Sequence, residues 1–248
     1  MRLNRFLAAA GASSRRGADE LIASGRVTVN GEPCTDFHFQ PTARDHVKVD
    51  GKLVRQRAHL YLALNKPAGF VCTRRDPNTT DTIYDLLPAK FQTLTYVGRL
   101  DAQTEGLLLL TNDGDFTLRL THPRYKIEKE YEVVLDRSAT PDLCEQLEHG
   151  VMLDGKRARA KQARQISGMR LRIILEQGLN RQIRRMLERF GFHARKLKRE
   201  RIGRVFLSDM PTGHWRMLST QELSSVEAAV SGGRPEQSRR CDGGHYRK

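Results

Sequence analysis

The segment VGRLDAQTEGLLLLTNDG, residues 97–114, sets one acid, Asp101, in a polar loop between an apolar TYV run and the apolar GLLLL run. Apolar runs of that kind read as core strands, so Asp101 would stand at the rim of a sheet. A carboxylate there can be desolvated enough to act. An aspartate that only caps its own turn fits the same spacing, since turns select Asp strongly. Other chemistries lack their residues. The chain has no GxxxxGK[ST] loop, no strand-linked GxGxxG, no HExxH and no GxSxG elbow, which counts against ATP hydrolysis, a nicotinamide cofactor and a zinc hydrolase. Its eight histidines are scattered. Cys34, Cys72, Cys144 and Cys241 lie far apart with no CxxC pair, which disfavours a metal site or disulfide framework and fits a reducing, cytoplasmic setting.

The elements that must position Asp101 fall into two parts. Residues 1–57 read as a small α+β module. RLNRFLAAAG is a short helix, and RRGADELIAS a second one capped by Ser13 or Ser14 and stopped at Gly25. RVTV and HVKVDGKLV are strands turned by Asn30-Gly31 and Asp50-Gly51. Residues 55–59 are polar and read as a linker. From 58 to 230 the pattern becomes a larger α+β body. Its strands are YLALN, TYVGRLD, GLLLLTND, EKEYEVVLD, MRLRIILEQG and ARKLKRERIGRV. Its helices are TIYDLLP, DFTLRLTHP, TPDLCEQLEHG with Pro141 at the first helical position, NRQIRRMLERFG capped by Asn180, and STQELSSVEAAV. The tail 231–248, rich in Gly, Ser and Arg, reads as disordered.

Charge is segregated along the 248 residues. The net is +14, and residues 157–204 hold 16 basic against 3 acidic residues. A basic excess without balancing acids anticipates a polyanion, with nucleic acid ahead of an acidic protein or an anionic lipid surface. The mean hydropathy of −0.58 and the shortness of the apolar runs argue against a membrane span.

Together with NKPAG (65–69), KEYEV (129–133) and GLNRQIRRM (178–186), the VGRLDAQTEGLLLLTNDG segment resembles the RNA pseudouridine synthases of the ribosomal small- and large-subunit branch. RLNRFLAAAGASSRRGADELIASGRVTVNG resembles the S4 RNA-binding domain that precedes the catalytic domain in that branch. The resemblance runs in order from about Arg2 to Leu223. It implies an S4-type domain followed by a mixed or antiparallel-sheet catalytic domain. The implied activity is isomerisation of a uridine in ribosomal RNA, the large-subunit RNA favoured, with no cofactor and no metal.

The resemblance also implies roles. Asp101 matches the family's aspartate, as nucleophile or base. In either role it must be ionised, which a partly buried carboxylate achieves only beside a cation; the family's ion-pairing arginine matches Arg184. Tyr131 matches the tyrosine beside the target base, and Leu197 the apolar residue closing the pocket. Read without the family, Arg184 is a phosphate contact on a basic helix, and Tyr131 and Leu197 are core residues. Asn180, Arg181, Arg185, Arg99 and Lys198 are expected around the substrate, with Arg195, Lys196 and Arg199 adding to the phosphate-holding surface. A solvated helix face is the alternative for Arg181 and Arg185. Arg5, Arg15, Arg16 and Arg26 are expected to hold structured RNA, against surface pairing with Asp19 and Glu20. The chain is expected to act as a monomer. Two other functions compete: a non-catalytic RNA-binding or ribosome-assembly factor, and a DNA-binding regulator, which lacks a recognition helix.

Overall fold

A computed structural model describes residues 1–55, 58–74 and 81–231. Two residues of the expected linker, 56 and 57, and the tail from 232 onward lie outside the described residues.

The N-terminal elements are α1 (Leu3–Ala9), α2 (Arg15–Ala23), β1 (Val27–Val29), β2 (Glu32–Pro33), β3 (Val47–Val49) and β4 (Lys52–Leu53). The strands form one antiparallel sheet in the order β2-β1-β3-β4. Its apolar face and the two helices enclose Leu3, Leu7, Ala18, Ile22, Val27, Val29 and Val47. The Ser14 hydroxyl caps α2 by accepting from the Gly17 N–H at 3.0 Å. Asn30-Gly31 and Asp50-Gly51 both have positive φ throughout, which is the turn twist that tight hairpins require.

The larger body contains β5 (Tyr61–Lys66), β6 (Thr95–Val97), β7 (Glu105–Thr111), α3 (Gly114–Thr121), β8 (Lys129–Leu135), α4 (Leu143–His149), β9 (Val151–Leu153) and β10 (Lys156–Ala158). It continues through β11 (Gln162–Ser167), β12 (Arg170–Leu175), α5 (Gln182–Arg189), β13 (Ala194–Ile202), β14 (Val205–Phe206), β15 (Trp215–Met217) and α6 (Thr220–Ser231). Nine strands make one mixed sheet, in the order β11-β12-β8-β13-β7-β5-β15, with β14 beside β13 and β6 beside β7. Only the β13–β7 pair is parallel; the others run antiparallel. The class is α+β, as expected.

The GLLLL run is apolar throughout because β7 is covered on both faces. Leu108 and Leu110 enter a core shared with α4 and α5, whereas Leu107 and Leu109 enter a second one under α3 and α6. β8 lies where one face is open, and its sequence alternates accordingly. Tyr131, Val133 and Leu135 point into the first core, and Glu130 and Glu132 face solvent and pair with Arg172, Arg201 and Arg170.

Two expected helices differ. Thr82–Pro88 forms turns, because the Asp85 carboxylate accepts from both the N–H and hydroxyl of Thr82 (2.8 and 2.7 Å) and closes a local loop in place of a helical ladder. α4 begins at Leu143, not Pro141; the Thr140 carbonyl accepts from the Leu143 N–H and Pro141 and Asp142 remain a turn. The short β9–β10 hairpin, β11 and β15 are further elements with little apolar alternation to announce them.

Candidate active site

Asp101 leaves β6 at the rim of the sheet, its side chain 24% exposed. Every carbonyl from 101 to 104 is held. The Asp101 carbonyl accepts from the Thr104 N–H, and the Ala102 carbonyl from the Gly69 N–H at 2.7 Å. The Gln103 carbonyl accepts from Arg184 Nη2 at 3.0 Å, and the Thr104 carbonyl from Lys66 Nζ at 2.8 Å. Lys66 is fully buried and also donates to the carbonyls of Pro67 (2.8 Å) and Ala102 (3.3 Å). Burial holds its pKa below the usual lysine range, partly offset by Cys72, Asp101 and Glu105. NKPAG therefore supplies two of the donors that clamp the Asp101 loop, the Lys66 ammonium and the Gly69 N–H.

The carboxylate is dressed asymmetrically. Oδ1 accepts from the Thr104 hydroxyl at 2.7 Å. Oδ2 faces two guanidinium groups, Arg181 Nη1 at 3.8 Å and Arg184 Nε at 3.9 Å. Both arginines come from the start of α5, which packs Ile183, Met186 and Leu187 into the first core and thereby turns Arg184 inward. Arg184 is 7% exposed. Burial lowers its pKa, and the Asp101 charge opposes that shift. Leu100, Tyr131, Ile183 and Leu197 share one apolar cluster, so the residues beside or matching Asp101, Arg184 and the proposed base-contacting pair converge. Tyr131 is 9% exposed, and its hydroxyl makes no hydrogen bond to another described residue.

The remaining expected residues divide. Arg99 is exposed beside the loop. Arg181 is drawn to Asp101. Asn180 does not cap α5: it is exposed, and Arg181 occupies the cap position in a left-handed conformation (φ 46°) with no side-chain capping bond. Instead, Gln182 reaches back from inside the helix, its Oε1 accepting from the Leu179 N–H at 3.2 Å. Arg185 is tied to Asp154 by two 2.7 Å bonds. Lys198 lies on the open face of the sheet, paired with Glu200 at 2.9 Å, because strand alternation sends it opposite Leu197. There it borders a shallow groove of about 330 Å³ with Glu105, Glu132, Arg170 and Lys196. Arg199 is 2% exposed and donates from Nε to the Leu107 carbonyl at 2.7 Å, so it is no part of a phosphate-gripping surface.

In the N-terminal module, Arg15 and Arg16 are exposed and have no hydrogen bond or ion pair among the described residues. Arg5 pairs with Asp115 of the larger body and Arg26 with Asp50. Asp19, expected as an arginine partner, instead accepts from Asn4 Nδ2. Lys66 and Thr104 are the residues that sequence reasoning left without roles. The signal for Lys66 was present: a lysine closing an otherwise apolar strand, YLALNK, is either exposed by fraying or buried for a purpose.

A sheet whose rim aspartate faces two arginines is preceded by a small helix-and-hairpin module with exposed basic residues and its own apolar core, a two-part organisation. Residues 60–189 match the model of the RNA pseudouridylate synthase family, and residues 1–45 match the S4 domain. The chain is 37% identical over 241 residues to "Ribosomal large subunit pseudouridine synthase B" of Bacillus subtilis (strain 168), covering 94% of this chain and 98% of that protein. It is 38% identical over 226 residues to "Dual-specificity RNA pseudouridine synthase RluF" of Escherichia coli (strain K12), covering 90% and 77%. A solved structure, "Crystal structure of pseudouridylate synthase", superposes with a TM-score of 0.66 at 29% identity, over 91% of this chain and 99% of that one. The chain belongs to the RNA pseudouridine synthase family.

Proposed function

We propose that this protein converts a uridine of ribosomal RNA, with the large-subunit RNA favoured, to pseudouridine. The bond between C1′ and N1 breaks, a bond between C1′ and C5 forms, C5 gives up its proton and N1 gains one. The observation that carries the reading is the Asp101 carboxylate, held through Oδ1 while Oδ2 faces Arg181 and Arg184. Asp101 acts at the sugar or base of the target. Tyr131 and Leu197 line the base, and Arg184 keeps charge opposite Asp101. Arg181 and Arg99 are best placed to meet the substrate's phosphates. The target has to leave its stack, at a cost of a few kcal/mol that the pocket and phosphate contacts offset.

Residues 1–57 act as the RNA-recruiting S4-type domain and 58–230 as the catalytic domain, a division supported by their separate apolar cores. Among the described residues no helix is long and apolar enough to cross a membrane, and a cytoplasmic monomer meeting ribosomal RNA is the setting we infer. The Bacillus subtilis relative, a ribosomal large subunit pseudouridine synthase, supports the ribosomal substrate.

Purified protein incubated with ribosomal RNA lacking pseudouridine should create new carbodiimide-dependent primer-extension stops. Asp101→Asn should abolish them while leaving RNA affinity within about threefold. Wild-type rate in Asp101→Asn would remove the catalytic assignment. RNA binding without product by the wild-type protein, on every ribosomal RNA tried, would favour a non-catalytic assembly factor.

A further inference from the structure

We propose that Thr104 is a positioning residue that gives the two oxygens of Asp101 different tasks, holding Oδ1 so that Oδ2 is the oxygen that meets the substrate. The inference rests on the reading of Asp101 as the reacting carboxylate.

The terminal torsion of an aspartate is broad and nearly two-fold, so a carboxylate held only by its backbone exchanges its oxygens freely. Here that equivalence is broken. Thr104 is 2% exposed, and its backbone is fastened at both ends, by its N–H to the Asp101 carbonyl at 3.1 Å and by its carbonyl to Lys66 Nζ at 2.8 Å. A hydroxyl has one proton to donate, and Thr104 gives it to Oδ1 at 2.7 Å. Oδ2 has two cations near it, yet both stand beyond hydrogen-bond distance, at 3.8 and 3.9 Å. Its lone pairs stay open.

The competing arrangement is also visible. Arg184 Nε is buried and makes no hydrogen bond among the described residues, and it lies 3.9 Å from Oδ2. A rotation of the carboxylate that brought Oδ2 within hydrogen-bond distance of Nε would spend the reacting oxygen on the enzyme itself. The Thr104 hydroxyl opposes that rotation by keeping Oδ1 in place. Thr104 thus acts through Asp101 and touches no substrate atom.

The test is single-turnover conversion at saturating RNA, with RNA affinity measured separately on the same full-length variants. Thr104→Val keeps the shape and removes the donor. It should lower the single-turnover rate about 10–100-fold, the range expected for one hydrogen bond to a charged group, with RNA affinity unchanged within twofold. Thr104→Ser restores the donor and should recover the rate to within about threefold of wild type. Thr104→Ala, which lacks the donor and adds no methyl against the carboxylate, replaces Thr104→Val should the latter fail to fold. A purely structural role would instead lower folded fraction and affinity together, with no rescue by serine. Thr104→Val at the wild-type rate, or a folded Thr104→Ser as slow as Thr104→Val, overturns this proposal while an inactive Asp101→Asn leaves the parent reading standing. An active Asp101→Asn overturns both.

Discussion

Arg184 Nε stands 3.9 Å from Asp101 Oδ2 while both terminal nitrogens of the same guanidinium are already engaged, Nη1 with the Ala194 carbonyl at 2.8 Å and Nη2 with the Gln103 carbonyl at 3.0 Å. One planar cation therefore joins α5, the start of β13 and the Asp101 loop. Its charge faces the carboxylate without a direct bond.

Arg184→Lys keeps the charge and loses the fork. An ammonium is a compact point charge that cannot reach two carbonyls in different directions and still face Asp101. We expect a single-turnover rate at least about 100-fold lower, together with about 2–4 kcal/mol of lost stability from two charge-assisted bonds to part-buried carbonyls. Conversion assays beside urea denaturation report both; a variant with wild-type rate would mean the fork has no role.

Gly106 tests the joint between β7 and β13. Its φ is +101°, and a Cβ there would stand 2.4 Å from the Arg199 carbonyl oxygen and 2.7 Å from the Arg199 nitrogen. Both are backbone atoms in the parallel pairing that links the two halves of the sheet. Gly106→Ala should destabilise by about 3 kcal/mol or more. Gly155→Ala has a positive φ but open space and should cost about 1 kcal/mol. Equal urea midpoints for the two variants would contradict the steric account.

Lys129 gives a pH prediction. Burial, with the Arg199 charge beside it, pushes its pKa down to about 8, against about 10.4 in an unfolded chain. Between those values the unfolded state binds more protons, so this group's contribution to stability rises with pH across about 8 to 10.4 and is least favourable below 8. Removing the charge with Lys129→Met should stabilise the protein at pH 7 by at most about 3 kcal/mol. The advantage should shrink to near zero by about pH 10.4. Thermal unfolding of both proteins at the two pH values checks this, and a pH-independent difference would refute it.

Arg15 and Arg16, at the start of α2, are exposed and without an ion pair among the described residues, whereas Arg26 is committed to Asp50 through Nε at 2.8 Å and a second guanidinium bond. Replacing Arg15 and Arg16 together with Gln should flatten the plot of log affinity against log salt by about 1.4–1.8 units, at roughly 0.7–0.9 per phosphate contact. Arg26→Gln should change the slope by less than about 0.5. Identical slopes for all three proteins would place the RNA elsewhere.

Much of the fold was legible because it is local. Asn30-Gly31 and Asp50-Gly51 name their turns, the alternation of KEYEVVL names its inner face, and the unbroken GLLLL run names a strand covered on both sides. The failures are also local readings, defeated by neighbours that lie far off in the chain. Asn180 has the type of a cap, but the cap position falls on Arg181, and Gln182 supplies the local hydrogen bond. Lys198 and Arg199 belong to a basic run, yet the sheet sends one to the open face and buries the other.

By itself, the sequence determined the two-part organisation, the strands around Asp101 and the resemblance that matches Asp101, Tyr131, Arg184 and Leu197 to roles, because periodicity, turn chemistry and motif order are carried by adjacent residues. Only the tertiary structure decided which donors hold Asp101. Lys66 reaches Thr104 across 38 positions and Arg184 reaches Gln103 across 81. Such bonds exist only after the sheet has closed and water has left, when each buried carbonyl must find a donor and each buried cation an acceptor.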